Sequence, residues 1–184
     1  MIGGNLIKQA VISMRNATEE EFQDTVSFFL QRRRVFITGA GRSALVGKFF
    51  GISLMHLGSE VYVVGETNTP SIAEGDVLVA ISASGNTGSV VYTAESAKNK
   101  NALVVAVTAN RTSALFDLSD RQIVIDSRNT QEREDQNETE YSRKIPVETS
   151  FELSSLIYLE AITSEIMQIC SIDEAYMQNK RANI

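Results

Sequence analysis

Four hydroxyl side chains, Ser82, Ser84, Thr87 and Ser89, fall within eight residues, interleaved with Gly85, Asn86 and Gly88, directly after the apolar run Val77–Ile81. Hydroxyls donate hydrogen bonds, and glycines let backbone N–H groups approach closely. The segment from Val90 onward reads as a helix whose N-terminus faces whatever the turn holds. The ligand these groups suit is a phosphate monoester. Turn and N-cap preferences account for Ser, Asn, Thr and Gly without any ligand, but four hydroxyls exceed the needs of one cap. No Gly-Lys-Ser/Thr follows and no lysine is placed for a γ-phosphate, which argues against a nucleoside triphosphate.

A second turn, Gly39-Ala40-Gly41-Arg42-Ser43, also follows an apolar run. It is half of a dinucleotide fingerprint, with Ala44 at the permitted third-glycine position, but no acidic residue ends the next strand at Val64 and the nearest is Glu66. Gly41, Arg42 and Ser43 are therefore assigned, with Ser82, Ser84, Gly85, Asn86 and Thr87, to a phosphate or sugar site. Glu66 fits either a ligand hydroxyl or solvent. His56, the only histidine, reads equally as a structural residue on an apolar helix or as a group that moves a proton near neutrality. Glu152 has two readings as well. It is a first-turn acid complementing a helix dipole, or a base that takes a proton from carbon beside a carbonyl once burial raises it toward neutrality.

The elements that must position these groups alternate. Residues 4–31 carry helical apolar spacing on both sides of Asn16-Ala17-Thr18, and Thr18-Glu19-Glu20-Glu21 is a capping box, so two helices are expected there. Strands are predicted at about Val35–Gly39, Val61–Val64, Asp76–Ile81, Leu103–Thr108 and Arg121–Ile125. Helices are predicted from the Gly39 turn to about Leu57, from Val90 to about Asn99, at Ser113–Asp117, and from Phe151 to Met167. Asp126–Lys144 is almost free of apolar residues and reads as a loop. Continuous β-branched strands joined by helices predict an α/β fold, a three-layer α/β/α sandwich with a five-stranded parallel sheet and ligands at the strand carboxyl ends.

Composition narrows the function classes. A length of 184 residues suits one α/β domain spanning 1–184. A formal net charge of −6 argues against a nucleic-acid partner, and the basic run Arg32-Arg33-Arg34 reads as a solvated helix C-terminus. No apolar run approaches the roughly 18 residues that span a bilayer, so no membrane partner is expected. The lone Cys170 cannot form an internal disulfide, and with one His and one Cys a zinc site of His/Cys type is excluded. The N-terminus lacks a secretory pattern, so a cytoplasmic location is expected.

Taken in order, Gly39–Ser43, Leu54-Met55-His56-Leu57-Gly58, Val64–Thr67 with Thr69-Pro70, Ser82–Thr87, and Pro146 with Thr149–Glu152 resemble the sugar isomerase (SIS) family of phosphosugar-binding domains, and within it the 6-phospho-3-hexuloisomerases. The resemblance spans nearly the whole chain and implies a flavodoxin-like winding of the sheet. It also implies interconversion of a 3-hexulose 6-phosphate and fructose 6-phosphate through an enediol, with no metal or other cofactor, in formaldehyde assimilation by the ribulose monophosphate pathway, formaldehyde detoxification or pentose phosphate supply. By the same resemblance Ser43, Ser82, Ser84 and Thr87 hold the phosphate, Glu152 is the base, and His56 assists ring opening or proton movement. A cytoplasmic homotetramer with sites completed by a neighbouring subunit is implied too. Two departures stand out: Val147-Glu148 replaces the usual Met-Gly, and Arg181 stands where the family commonly has a His. Alternatives are an isomerase of another sugar phosphate, such as arabinose 5-phosphate, and a non-catalytic phosphosugar-binding module.

Overall fold

The computed structural model describes residues 18–31, 34–126 and 147–183, with side chains from 149 in the last segment. The helix expected before Thr18, the basic residues 32 and 33, and nearly all of the polar loop expected at 126–144 lie outside these residues.

The elements run α1 (Glu19–Leu30), β1 (Val35–Gly39), α2 (Arg42–His56), β2 (Val61–Val63), β3 (Val77–Ile81), α3 (Gly88–Lys98), β4 (Leu103–Thr108), α4 (Ala114–Leu118), β5 (Arg121–Val124), α5 (Val147–Ile169) and α6 (Glu174–Gln178). The predicted capping box closes α1. Thr18 Oγ1 accepts from the Glu21 amide at 3.1 Å, and the Glu21 carboxylate accepts from the Thr18 amide at 3.0 Å.

All five strands are parallel, in the order β2-β1-β3-β4-β5. Both faces are covered, as continuous apolar strands require. Alternation along the strands sends Val35, Ile37, Val77, Val79, Ile81, Val105 and Val107 to the face covered by α1, α2 and α5. Phe36, Leu78, Ala80, Val104 and Ala106 go to the other, where Val90, Ala94 and Ala97 of α3 and Leu115 of α4 pack on them. Helix α2 lies close against β1 because Gly47 faces the sheet: a Cβ there would stand 2.6 Å from Ile37 Cγ2. Truncating a fully buried residue such as Ile81 or Leu159 to Ala costs about 2–5 kcal/mol.

Two expectations change. Helix α5 begins at Val147, four residues ahead of Phe151, so Glu152 sits in its second turn and is not a first-turn dipole acid. Arg34 is not a solvated helix end; its Nε and Nη2 clasp the two oxygens of Asp76 at 2.9 and 2.6 Å, and Asp76 also accepts from the Ala73 amide. That partly buried pair ties β1 to β3 at their amino ends, opposite the edge formed by the strand carboxyl ends. Among the described residues no helix is long and apolar enough to cross a membrane.

Candidate active site

The strand order reverses at β1 and β3: the chain leaves β1 toward β2 on one side and proceeds from β3 to β4 and β5 on the other. In such sheets the crevice opens beyond the carboxyl ends of the two strands at the reversal. Gly39 and Ile81 are register partners across that pair, so the two glycine-containing turns read from the sequence leave the sheet side by side. Each leads into a helix running back along the sheet, and the N-termini of α2 and α3 both open at this edge with their first amides unpaired by any earlier turn.

The turn after β3 folds its hydroxyls together. Ser82 Oγ lies 2.9 Å from Thr87 Oγ1 and 3.5 Å from Ser84 Oγ, and accepts from the Gly85 amide at 3.1 Å. Ser84 Oγ accepts from the Asn86 amide at 3.2 Å. Thr87 is the N-cap of α3, yet its hydroxyl makes no capping bond to the helix; it faces Ser82 instead. Hydroxyls that can donate to an anion are thus gathered beside the free amides of Gly88 and Ser89.

A second loop fixes this turn. Gly85 has φ +65°, and a Cβ there would meet Ser113 Cβ at 2.5 Å and Thr108 Oγ1 at 2.9 Å, so glycine is required twice, by conformation and by space. Thr108 Oγ1 donates to the Ala83 carbonyl, Asn110 Nδ2 to the Ser84 carbonyl, and the Leu115 amide to the Gly85 carbonyl. Asn86 Oδ1 accepts from the Ala114 amide at 3.0 Å, which employs its carbonyl in anchoring α4. Thr108, Asn110 and Ser113 were not singled out from the sequence. The signal available was the Thr-Ala-Asn-Arg-Thr-Ser run at the end of β4, a turn on the same edge.

Across the crevice, Gly41 (φ +56°) is the N-cap of α2 and offers no side chain. Ser43 is buried. Arg42 reaches over to α5, where its Nε stands 3.0 Å from Glu152 Oε2 and its Nη1 donates to Thr149 Oγ1 at 3.1 Å. The Glu152 side chain is 14% exposed and that of Arg42 54%, so the carboxylate is mostly sheltered while the guanidinium reaches solvent. One Ser53–Glu160 hydrogen bond of 2.9 Å holds the same two helices together farther along.

Glu66 and His56 are placed elsewhere. Glu66 follows β2, on the same edge but beyond β1, where Lys48 Nζ donates to it at 2.8 Å; that hydrogen bond and the Lys48 charge hold its carboxyl below the usual range. His56 closes α2, about 21 Å along the helix axis from Arg42, and so stands at the opposite edge of the sheet from the Ser82 turn of its own chain.

Comparison with known proteins bears on this arrangement. The SIS domain model matches residues 28–134. An uncharacterised protein of Archaeoglobus fulgidus is 38% identical over 178 residues, covering 96% of this chain and 95% of the relative. The 3-hexulose-6-phosphate isomerase of Methanocaldococcus jannaschii is 33% identical over 171 residues, covering 91% and 88%. Among solved structures, a Methanococcus jannaschii protein whose crystal structure infers a 3-hexulose-6-phosphate isomerase function superposes with a TM-score of 0.79 at 29% identity, over 100% of this chain and 96% of that one.

Proposed function

The chain belongs to the SIS domain family, and from that premise we propose that it is a phosphosugar isomerase, one that interconverts a 3-hexulose 6-phosphate and fructose 6-phosphate. The observation that carries the reading is the hydroxyl-lined turn Ser82–Thr87 at the strand-order reversal, supported by a sheltered carboxylate, Glu152, that is tied to Arg42 of the neighbouring turn. Relatives named for this reaction match over most of their length.

In this reading the hydroxyls of Ser82, Ser84 and Thr87, with Ser43 and the first amides of α2 and α3, hold the phosphate. Glu152 takes the proton from C2 of the 3-hexulose, giving an enediol across C2 and C3. O3 is protonated as that enediol forms; the same carboxyl then returns a proton to C3 while O2 gives up its hydroxyl hydrogen, so the carbonyl moves from C3 to C2 with no net change in atoms. Anchoring the phosphate fixes the distance from the far end of the sugar to the base, which converts binding energy into orientation.

We place this reaction in a homotetramer. Leu45, Phe49 and Ile52 stand exposed on α2 at 66%, 47% and 53%, a helical stripe spaced i, i+4, i+7, and His56 continues the same face one turn on. Contact between copies along that stripe covers the apolar side chains and gives His56 a route to a neighbour's site, which its own chain denies it.

Incubating the protein with fructose 6-phosphate in deuterated water tests the reading. Deuterium at C3 is expected, and Glu152→Gln removes the exchange because the amide keeps the shape but takes no proton. Deuterium at C1 points to a different isomerisation, and none at any carbon points to a binding module.

A further inference from the structure

Arg42 breaks a local rule. It is the first residue of α2, where the dipole is positive, and the first turn holds no acidic residue to offset either charge. Gly41 before it supplies no cap. The positive charge is met instead by α5, through Glu152 and Thr149. The Arg42 side chain is 54% exposed and stands beside the turn after β1, whose register partner strand leads into the Ser82–Thr87 hydroxyls. A cation placed against a helix's own dipole, on a long and largely exposed side chain next to the strand that leads into the hydroxyl-lined turn, has a second partner open to it when that turn holds an anion.

Resting on the proposed function, we propose that Arg42 couples phosphate binding to release of the base: it rests on Glu152 and Thr149 in the free protein and transfers its ion pair to the phosphate of the bound sugar. Three consequences follow from that competition. Glu152 and the phosphate draw on the same guanidinium, so each weakens the other's hold on it. Arrival of the phosphate leaves Glu152 without its guanidinium neighbour, and a carboxylate relieved of an adjacent cation is the stronger base. Departure of the product restores the clasp, because Thr149 Oγ1 and Glu152 Oε2 present two acceptors to the planar fork of arginine.

The test is a double-mutant cycle on binding, independent of turnover. Affinities for inorganic phosphate and for fructose 6-phosphate are measured by calorimetry on the wild type, Glu152→Gln, Arg42→Gln and the double variant. Glu152→Gln is expected to bind both anions about three- to tenfold more tightly, because Arg42 no longer has to leave a carboxylate. In the Arg42→Gln background the same change is expected to leave affinity unaltered, which separates competition for the guanidinium from loss of a repelling charge. Should Arg42→Gln melt early, the cycle is repeated with Arg42→Lys, which keeps the charge without the fork, and a reduced coupling is expected. Equal tightening in both backgrounds, or none in either, overturns the coupling while leaving the isomerase reading intact. Failure of all four proteins to bind either anion overturns both.

Discussion

The hydroxyls of Ser82 and Thr87 stand 2.9 Å apart across the mouth of the turn after β3, each the other's hydrogen-bond partner. A bound phosphate offers both a stronger acceptor. Removing either hydroxyl, by Ser82→Ala or Thr87→Val, is expected to cost about 1.5–3 kcal/mol of ester affinity, on the order of 10- to 100-fold, and Ser82→Ala is expected to lower the melting temperature more than Thr87→Val, because Ser82 Oγ also accepts from the buried Gly85 amide. Calorimetric titration with fructose 6-phosphate beside a thermal melt checks both halves.

Gly85→Ala is expected to lose both fold stability and phosphate affinity. The new methyl meets Ser113 and Thr108 at a backbone angle that favours glycine, at a cost of about 1–3 kcal/mol. Adding Ser113→Gly removes one of the two obstacles and is expected to recover part of the stability, read as a shift in the urea midpoint. If Gly85→Ala alone behaves as wild type, the β4–α4 loop does not brace the turn.

Breaking the Arg34–Asp76 clasp is expected to separate stability from function. Asp76 is buried, while the Arg34 side chain that clasps both its oxygens is partly exposed, so Asp76→Ala is expected to lower stability by about 1–3 kcal/mol. The pair sits at the amino edge of the sheet, so ester affinity below the melting range is expected to stay within about twofold of wild type.

Tyr158 gives a pH signature. Burial, helped by Glu21 and Glu19, pushes its hydroxyl up to about 12. The folded chain therefore keeps this proton longer than the unfolded chain, whose tyrosine titrates near the usual value of about 10. The stability tied to Tyr158 is complete below about pH 10 and is lost as pH rises toward 12. Melting curves of the wild type are expected to fall more steeply over that range than those of Tyr158→Phe; parallel curves would mean that the hydroxyl titrates normally.

The strands, their parallel order of appearance and the two glycine turns were legible because each is local: a run of β-branched residues, then glycine and hydroxyls, then helical spacing. The Thr18 capping box is equally local. What escaped the sequence joins residues far apart in it. Arg34 and Asp76 are 42 positions apart, and the bracing of Gly85 by Ser113 depends on β4 lying beside β3, which a single chain's pattern does not declare. The apolar periodicity begins at Phe151, while Glu148, Thr149 and Ser150 of the first turn are polar, so the spacing predicts a later start for α5 than Val147. The residues leave Glu152 open between a dipole acid and a base, the family resemblance selects the base, and the structure adds its contact with Arg42, which no spacing rule contains.

A structure of the Glu152→Gln variant with fructose 6-phosphate tests the central claim most directly. The account predicts the phosphate within hydrogen-bonding reach of the Ser82, Ser84 and Thr87 hydroxyls, at the N-terminus of α3, with the sugar carbons directed toward residue 152. A phosphate seated elsewhere on the molecule, or a sugar pointing away from α5, would contradict it.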